Sequence, residues 1–481
     1  MMPTARFTCY EAASAAGGRW VGAPPDEVLG VSTDTRQIAG GALFVALRGE
    51  RFDGHDFVAE ALAGGAAAAL VDEGWLRGRG AGSDLPDLPM LAVRDTLAAL
   101  GMLARFHRRR TGIPLVAVTG SNGKTTTRAM LGAILRTRGP ALVTEGNLNN
   151  EVGVPLTVLA LAPEHQRAVV EMGMNHAGEV ARLAAIAEPQ VGVVTMAGVA
   201  HLEALGTVDA VADAKAELYF ALPRNGICVA NADDARMLRR AQASGRALLT
   251  FSVERGRGDV SVLGIAEHGP EGLKFALGIG QREVEISLPL VGLHNAANAA
   301  AAAAAAVALG YSDREIQEGL RTVQPVGRRL RVERLPSGVV LVDDCYNANP
   351  SSMKAALDTL AALSGEGGRP VAVLGDMLEL GPAEEEAHRA LGEEASRIAR
   401  VLALFGPRAR RAAEAAAASG FASGALVHTE DMPALVAFVQ EHLRPGDVLL
   451  VKGSRGNRLE RLVEAVRGAH GAAARDIEHH Q

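Results

Sequence analysis

Val116-Ala117-Val118-Thr119-Gly120-Ser121-Asn122-Gly123-Lys124-Thr125-Thr126-Thr127 reads as a buried strand, a glycine-rich turn and the start of a helix. An apolar β-branched run ends at Thr119. Gly120 and Gly123 let the backbone N–H groups of Gly120 to Gly123 face an anion, and the helix that starts near Lys124 directs its positive end at the same point. Lys124 is suited to β and γ phosphates, Thr125 offers a hydroxyl to Mg²⁺, and Thr126 lies beside it. The ligand implied is ATP. The spacing departs from G-x-x-x-x-G-K-[ST], because Val118 stands where the first glycine belongs. The turn is therefore a short G-x-x-G-K-T form.

Composition narrows the setting. At 481 residues the chain exceeds what one core supports and implies about three domains at roughly 150 residues each. A net charge of −6 and only 17 aromatic side chains (11 Phe, 4 Tyr, 2 Trp) argue against a nucleic-acid surface, which needs basic patches and stacking rings. Cys9, Cys228 and Cys345 are odd in number and far apart, so neither a disulfide framework nor a metal knuckle is indicated, and a reducing, cytoplasmic compartment fits. Met1 to Arg6 carries no apolar signal core. The alanine-rich run from Ala299 to Leu309 is too short and too weakly apolar to span a bilayer, and is expected to be a buried helix. No membrane insertion is expected.

Changes of pattern along the chain divide it into three units. Residues 1–110 form a small α/β unit with an internal loop from Gly78 to Pro89 and a basic helix end at Arg108-Arg109-Arg110. In residues 111–324, apolar runs such as Arg167 to Glu171 and Val191 to Thr195 alternate with helical patterns such as His176 to Ala187, which implies a parallel sheet with crossovers. Short alternating strands between Asp259 and Leu290 imply an antiparallel flap within this unit. Residues 325–481 form a third α/β unit, with strands Val339 to Asp343, Pro370 to Leu374, Val401 to Phe405 and Asp447 to Lys452.

Ligands of parallel sheets bind at the carboxyl ends of strands, and several polar groups stand there. Glu171 closes a buried strand and is a candidate Mg²⁺ ligand or a cap for the next turn. His201 follows the next strand, where a lone histidine is more often a satisfied loop residue. Lys215, in Asp213-Ala214-Lys215-Ala216-Glu217, reads by itself as a solvated helix lysine held by neighbouring acids.

Together these pieces resemble the Mur ligase family, the ATP-dependent amide-forming enzymes of bacterial cell-wall synthesis. The likeness covers nearly the whole chain. It is carried by the short phosphate turn, by Gly292-Leu293-His294-Asn295-Ala296-Ala297-Asn298 and by the Gly327-Arg328 pair. Three further stretches look like the member that adds D-alanyl-D-alanine to a UDP-N-acetylmuramoyl-tripeptide. They are Gly146-Asn147-Leu148-Asn149-Asn150-Glu151-Val152-Gly153-Val154-Pro155, Asp343-Asp344-Cys345-Tyr346-Asn347-Ala348-Asn349-Pro350 and Leu374-Gly375-Asp376-Met377-Leu378-Glu379-Leu380-Gly381. The fold implied is α/β in three domains. A central P-loop parallel-sheet ATP-binding domain is flanked by a small N-terminal α/β domain and a C-terminal Rossmann-like α/β domain.

The resemblance also assigns expected roles. ATP phosphorylates the terminal carboxylate of the tripeptide, the dipeptide amine displaces phosphate, and Lys124, Arg328 and two Mg²⁺ ions offset the shifting charge. Thr125 and Glu171 would hold the first Mg²⁺ and His201 would contact the second. Lys215 matches the position that relatives carry as a carbamate, an anionic Mg²⁺ ligand. His294 and Asn295 would meet the adenine side of ATP, with helix capping as the alternative. Asp344 would accept from the ribose hydroxyls, and Arg328 would touch the γ phosphate when the third domain closes. Ser32, Asp34 and Arg36 resemble the segment that meets the uridine end of the sugar nucleotide. Asn147, Asn149 and Asn150 would lie near the acceptor peptide, and Asn347 and the strand end Lys452-Gly453-Ser454-Arg455 near the incoming dipeptide. A monomer is expected.

Two alternatives stay open on the sequence. A Mur ligase of the preceding amino-acid-adding step would share the ATP site, but the chain has no Asp-Asn-Pro-Arg string. A P-loop ATPase switch would turn over without a small-molecule carboxylate and amine.

Overall fold

The computed structural model describes residues 5–78, 88–365 and 367–471. Most of the loop expected from Gly78 to Pro89 lies outside the described residues.

The decisive strand is Leu115–Thr119, and it lies inside a nine-stranded sheet between Val191–Val194 and Arg167–Glu171, parallel to both. Its side chains alternate between two layers, as the period of a strand dictates. Leu115 and Ala117 join one core, with Leu183 and Leu218, while Val116 and Val118 join the other, with Met130 and the alanine-rich helix. That helix, His294–Ala308, buries every residue from Ala299 to Ala306. Alanine combines high helix propensity with small bulk, so this helix forms readily and lies close against the sheet.

The strands Val260–Gly269, Gly272–Ile279 and Arg282–Leu288 are antiparallel to one another, as their alternation implies. They form one edge of the main sheet. Val260–Gly269 pairs in parallel with Ala247–Ser252, so the sheet runs on without a break.

On the amino-terminal side a five-stranded sheet has the order Arg19–Val21, Met90–Val93, Ala68–Asp72, Leu43–Val45, Val31–Ser32. Its core is continuous with that of the central sheet: Leu91, Leu100 and Leu103 share one cluster with Leu161 and Leu183. The basic helix end fastens this junction. Arg108 is buried and donates to the carbonyls of Ala187 and Ile113, and Arg109 forks onto Glu188. On the carboxyl side a six-stranded sheet contains the expected strands, in the order Arg331–Arg334, Val340–Asp344, Asp447–Lys452, Arg369–Gly375, Val401–Phe405, Leu426–Thr429. Only the first pair is antiparallel. Among the described residues no helix is long and apolar enough to cross a membrane.

The cysteines are all free. Burial, reinforced by a hydrogen bond to the Asp343 carboxylate, pushes the Cys345 thiol up to about 12, and burial also raises Cys228. Thiolates and not thiols react. A disulfide reagent is therefore expected to titrate Cys9 alone promptly in the native chain and all three thiols in denaturant. Prompt reaction of Cys345 would contradict this packing.

Candidate active site

Gly120 and Gly123 adopt φ of +148° and +81°, which turns the chain tightly between strand and helix. Both approach neighbouring groups too closely for a side chain. A Cβ on Gly120 would lie 1.8 Å from Thr195 Oγ1, and one on Gly123 would lie 2.3 Å from Asn298 Oδ1. Thr195 and Asn298 therefore form the wall behind the turn. Thr195 Oγ1 donates to the Asn122 carbonyl, and the Ser121 N–H donates to the Met196 carbonyl at 2.8 Å.

Lys124 Nζ donates to the Gly120 carbonyl at 2.7 Å. Burial lowers its pKa, Glu171 opposes that shift and Arg329 adds to it. Thr125 donates to Glu171 Oε1 at 3.2 Å, and Asn149 Nδ2 donates to the same oxygen at 2.8 Å. The second oxygen, Glu171 Oε2, is buried without a hydrogen-bond partner. Arg128 Nη1 stands 3.1 Å away but off the hydrogen-bonding line, and Arg128 Nε also stays unpartnered. A buried carboxylate oxygen with a free lone pair beside a threonine hydroxyl suits a hard cation. Among the described residues no group of three or more His, Cys, Asp or Glu is placed to hold a metal.

Lys215 overturns the reading of a solvated helix lysine. It is 1% exposed, on the inner face of the helix Val208–Ala221, and makes no hydrogen bond or ion pair among the described residues. Burial, and then the charge of Lys124, hold its pKa well below the ordinary lysine value. The acids beside it in sequence serve other groups: Asp213 pairs with Arg240, and Glu217 accepts from the Gly178 and Ala181 N–H groups.

His201 and Glu379 meet across the cleft between the central and carboxyl-terminal units, Nδ1 to Oε2 at 2.9 Å. Both are non-glycine residues with left-handed backbone, φ +56° and +64°. A second bridge joins the phosphate turn to the helix Pro350–Ser364: Asn122 Nδ2 donates to Ser351 Oγ, and Asn349 Nδ2 donates to Asn122 Oδ1 at 2.7 Å.

Asp344 and Lys452 were assigned by resemblance to different ligands, but the structure pairs them. Lys452 Nζ donates to Asp344 Oδ2 at 2.7 Å and to the Asn347 carbonyl at 3.0 Å, and Lys452 is 2% exposed. Asp344 Oδ1 also accepts from the Leu330 N–H. Arg328 pairs with Glu464 at 3.1 Å and stands 3.8 Å from Asp343. The neighbouring Arg329 is the guanidinium whose charge reaches Lys124 and Arg128, and it lies over the Tyr346 ring at 3.9 Å.

Asn295 donates to the Val291 carbonyl and accepts from Asn298. It lines a cavity of about 100 Å³ together with Thr126, Val291, Pro325, Arg329 and Leu330. His294 is exposed and outside that lining. Ser32 ends the strand Val31–Ser32, and Asp34 caps the short helical turn Thr35–Gln37. Asp34 accepts from Arg36, which pulls its pKa to about 2, and Ser32 Oγ donates to the Asp34 carbonyl. Asn150 caps the helix Gly153–Leu159, while Asn147 and Asn347 are exposed. Thr195, Arg128, Arg329 and Tyr346 were missed in the sequence. Only Arg128 left a signal there, one helical turn beyond Lys124 and so on its face.

Three family models match in order along the chain: "Mur ligase family, catalytic domain" over residues 27–108, "Mur ligase middle domain" over 118–306 and "Mur ligase, glutamate ligase domain" over 328–455. The UDP-N-acetylmuramoyl-tripeptide–D-alanyl-D-alanine ligase of Escherichia coli (strain K12) is 40% identical, across 91% of this chain and 93% of that protein. The protein of the same name from Bacillus subtilis (strain 168) is 37% identical, across 91% and 93%. A crystal structure of MurF from Acinetobacter baumannii superposes with a TM-score of 0.86 at 34% identity, covering 97% of this chain and 100% of that one. MurF ligase from Thermotoga maritima, solved in complex with ADP, superposes at 0.79 with 28% identity, covering 92% and 98%. The matches take in the phosphate turn, Glu171, Lys215 and the strand-end loops of the third sheet, so the chain belongs to the Mur ligase family of ATP-dependent ligases.

Proposed function

We propose that the chain joins D-alanyl-D-alanine to the terminal carboxylate of UDP-N-acetylmuramoyl-tripeptide at the expense of ATP, in the synthesis of peptidoglycan precursors. The observation that carries this reading is the meeting of Lys124, Thr125 and Glu171 at adjoining strand ends, bridged by Asn122 and Asn349 to the third sheet. An acceptor carboxylate oxygen attacks the γ phosphorus, the bond to the bridging oxygen breaks and ADP leaves. The dipeptide amine then attacks the acyl carbon, the bond to phosphate breaks, and a proton leaves the nitrogen. Products are the amide, ADP and phosphate.

The chain's own groups hold these anions in place. The N–H groups of Gly120 to Gly123 and the Lys124 ammonium receive the β and γ phosphates, with Lys124 exchanging its carbonyl partner for phosphate oxygen. Thr126 and Asn295 line the adenine side, with His294 at its rim. Arg329 faces the transferred phosphate, and Arg328 supports the link as the third unit closes. Asp344 and Lys452 act as a buried pair that fixes the loop carrying Asn347. Mg²⁺, when bound, would screen the phosphate charge, with Thr125 and Glu171 holding one ion and His201 and Lys215 a second. Burial lowers the Lys215 pKa and so favours the neutral amine, the form that adds CO₂ with loss of a proton to give an anionic carbamate. Ser32, Asp34 and Arg36 meet the uridine end, and Asn147, Asn149 and Asn150 the acceptor peptide. The corresponding domains are residues 1–110, 111–324 and 325–481, in a cytoplasmic monomer.

The test is phosphate release from Mg·ATP with tripeptide nucleotide and dipeptide together, then with each alone. Turnover only with both, with a matching mass gain in the sugar nucleotide, is expected. Equal hydrolysis without either would favour an ATPase switch.

A further inference from the structure

We propose that Arg455 anchors the free carboxylate of the incoming dipeptide, an inference that rests on the ligase reading above. Most cations around the cleft already have partners. Arg128 faces Glu171, Arg328 faces Glu464 and Asp343, Lys452 faces Asp344, and Lys124 donates to Gly120. Arg329 and Arg455 differ. Neither guanidinium makes a hydrogen bond or ion pair among the described residues, and both lie against the Tyr346 ring, at 3.9 and 5.6 Å from its centroid. Contact with a ring face leaves the N–H edges of the fork free for a carboxylate or phosphate.

The reaction brings two anions to this corner, the transferred phosphate and the dipeptide's own carboxylate. Arg329 is on the side of the phosphate turn, since it lines a cavity together with Thr126, and Arg455 does not. Arg455 is left for the second anion. A dipeptide spans roughly 7 Å at about 3.5 Å per residue, so an amine beside the phosphate puts its carboxylate within reach of a guanidinium on the same ring.

The loop that carries Arg455 is fixed from behind. Ser454 donates its N–H to the Asp376 carbonyl and accepts from Leu378 N–H, each at 3.0 Å. Asn457 donates to the carbonyls of Asp376 and Ser454 and accepts from the Asp376 N–H at 2.9 Å. Arg455 itself is exposed, so its replacement leaves this network intact.

The experiment compares D-alanyl-D-alanine with D-alanyl-D-alaninamide, which keeps the amine and side chains but has no carboxylate, in the full-length chain with ATP and the tripeptide nucleotide. The wild type is expected to favour the acid by about ten- to a hundredfold in kcat/KM, the range of one charge-assisted contact. Arg455→Gln should lose that preference by weakening use of the acid alone, through KM, with KM for ATP unchanged. Arg455→Lys should restore part of it, because a point charge replaces a planar fork. Retention of the preference by Arg455→Gln, or an equal loss on both compounds, would overturn the inference, as would a wild type that joins both equally. A wild type that joins neither overturns the ligase reading first.

Discussion

Gly120→Ala is expected to abolish phosphate release and lower the melting temperature, although it adds a single methyl group. The added Cβ would lie 1.8 Å from Thr195 Oγ1 and 3.1 Å from Thr195 Cβ, on a backbone with φ of +148°. Left-handed strain costs about 1–3 kcal/mol and overpacking of a filled site a similar amount. The chain relieves the clash by moving the turn or by moving Thr195. Either movement breaks the contact from Thr195 Oγ1 to the Asn122 carbonyl. The phosphate N–H groups then lose their aim, and misplacement by about 1 Å already costs on the order of a hundredfold in rate. Steady-state kinetics and thermal melts of Gly120→Ala, Thr195→Ala and the double variant provide the check. Thr195→Ala removes the oxygen that blocks the Cβ, so the double variant should recover stability relative to Gly120→Ala, and the two sites should be strongly non-additive. Simple additivity, or near-normal turnover by Gly120→Ala, would show that the turn does not rest on Thr195.

The turn was legible in the sequence because local rules write it: an apolar run ends, glycines permit the bend, and a helix begins at Lys124. The same locality explains the strands of the third sheet and the buried alanine helix. Where sheet edges join was not legible. The alternation in Val260 to Leu288 specifies antiparallel neighbours but carries no information that Val260 continues beside Phe251. The continuity of the first and second cores is hidden for the same reason, since Leu100 and Leu183 share a cluster across 83 positions of sequence.

The site divides along the same line. Glu171 stands at the end of its own strand, so position alone marks it. Arg328 and Arg329 are adjacent, and no local pattern tells which one turns toward the cleft. That choice is made by the Tyr346 ring on one side and by Glu464 and Asp343 on the other, all distant in sequence from the pair. Asp344 and Lys452 end neighbouring parallel strands, in register with one another. Their ion pair follows from strand order, which periodicity does not supply. Lys215 is the sharpest case. Its flanking acids imply a solvated face, yet the helix Val208–Ala221 turns Lys215 inward with Val211 and Leu218.

Replacing Lys215 by methionine should stabilise the chain and remove its activity. The Lys215 amine is buried without a partner among the described residues, and the charge that acts on it is that of Lys124. Exchanging a buried, unpaired amine for an apolar side chain of similar length removes its desolvation cost, on the order of 1–3 kcal/mol in favour of folding. The dependence on pH has a definite sign. The folded pKa lies below the unfolded value, so between the two the unfolded chain holds one more proton and stability rises with pH. The cost of the lysine is fully present below its folded pKa and disappears as pH passes the unfolded value, about 10.4. The melting-temperature advantage of Lys215→Met should therefore be largest at low pH and shrink toward alkaline pH. Activity should move the opposite way, falling by about ten- to a hundredfold, the scale on which metal-site partners act. Short-chain carboxylic acids should restore part of it to Lys215→Ala by occupying the space the side chain leaves. A lysine kept only for packing would give the reverse result, with a lower melting temperature and turnover near that of the wild type. A residue that costs stability and is needed for turnover is held in place by the chemistry, and bicarbonate-dependent activity of the wild type would identify that chemistry as the carbamate.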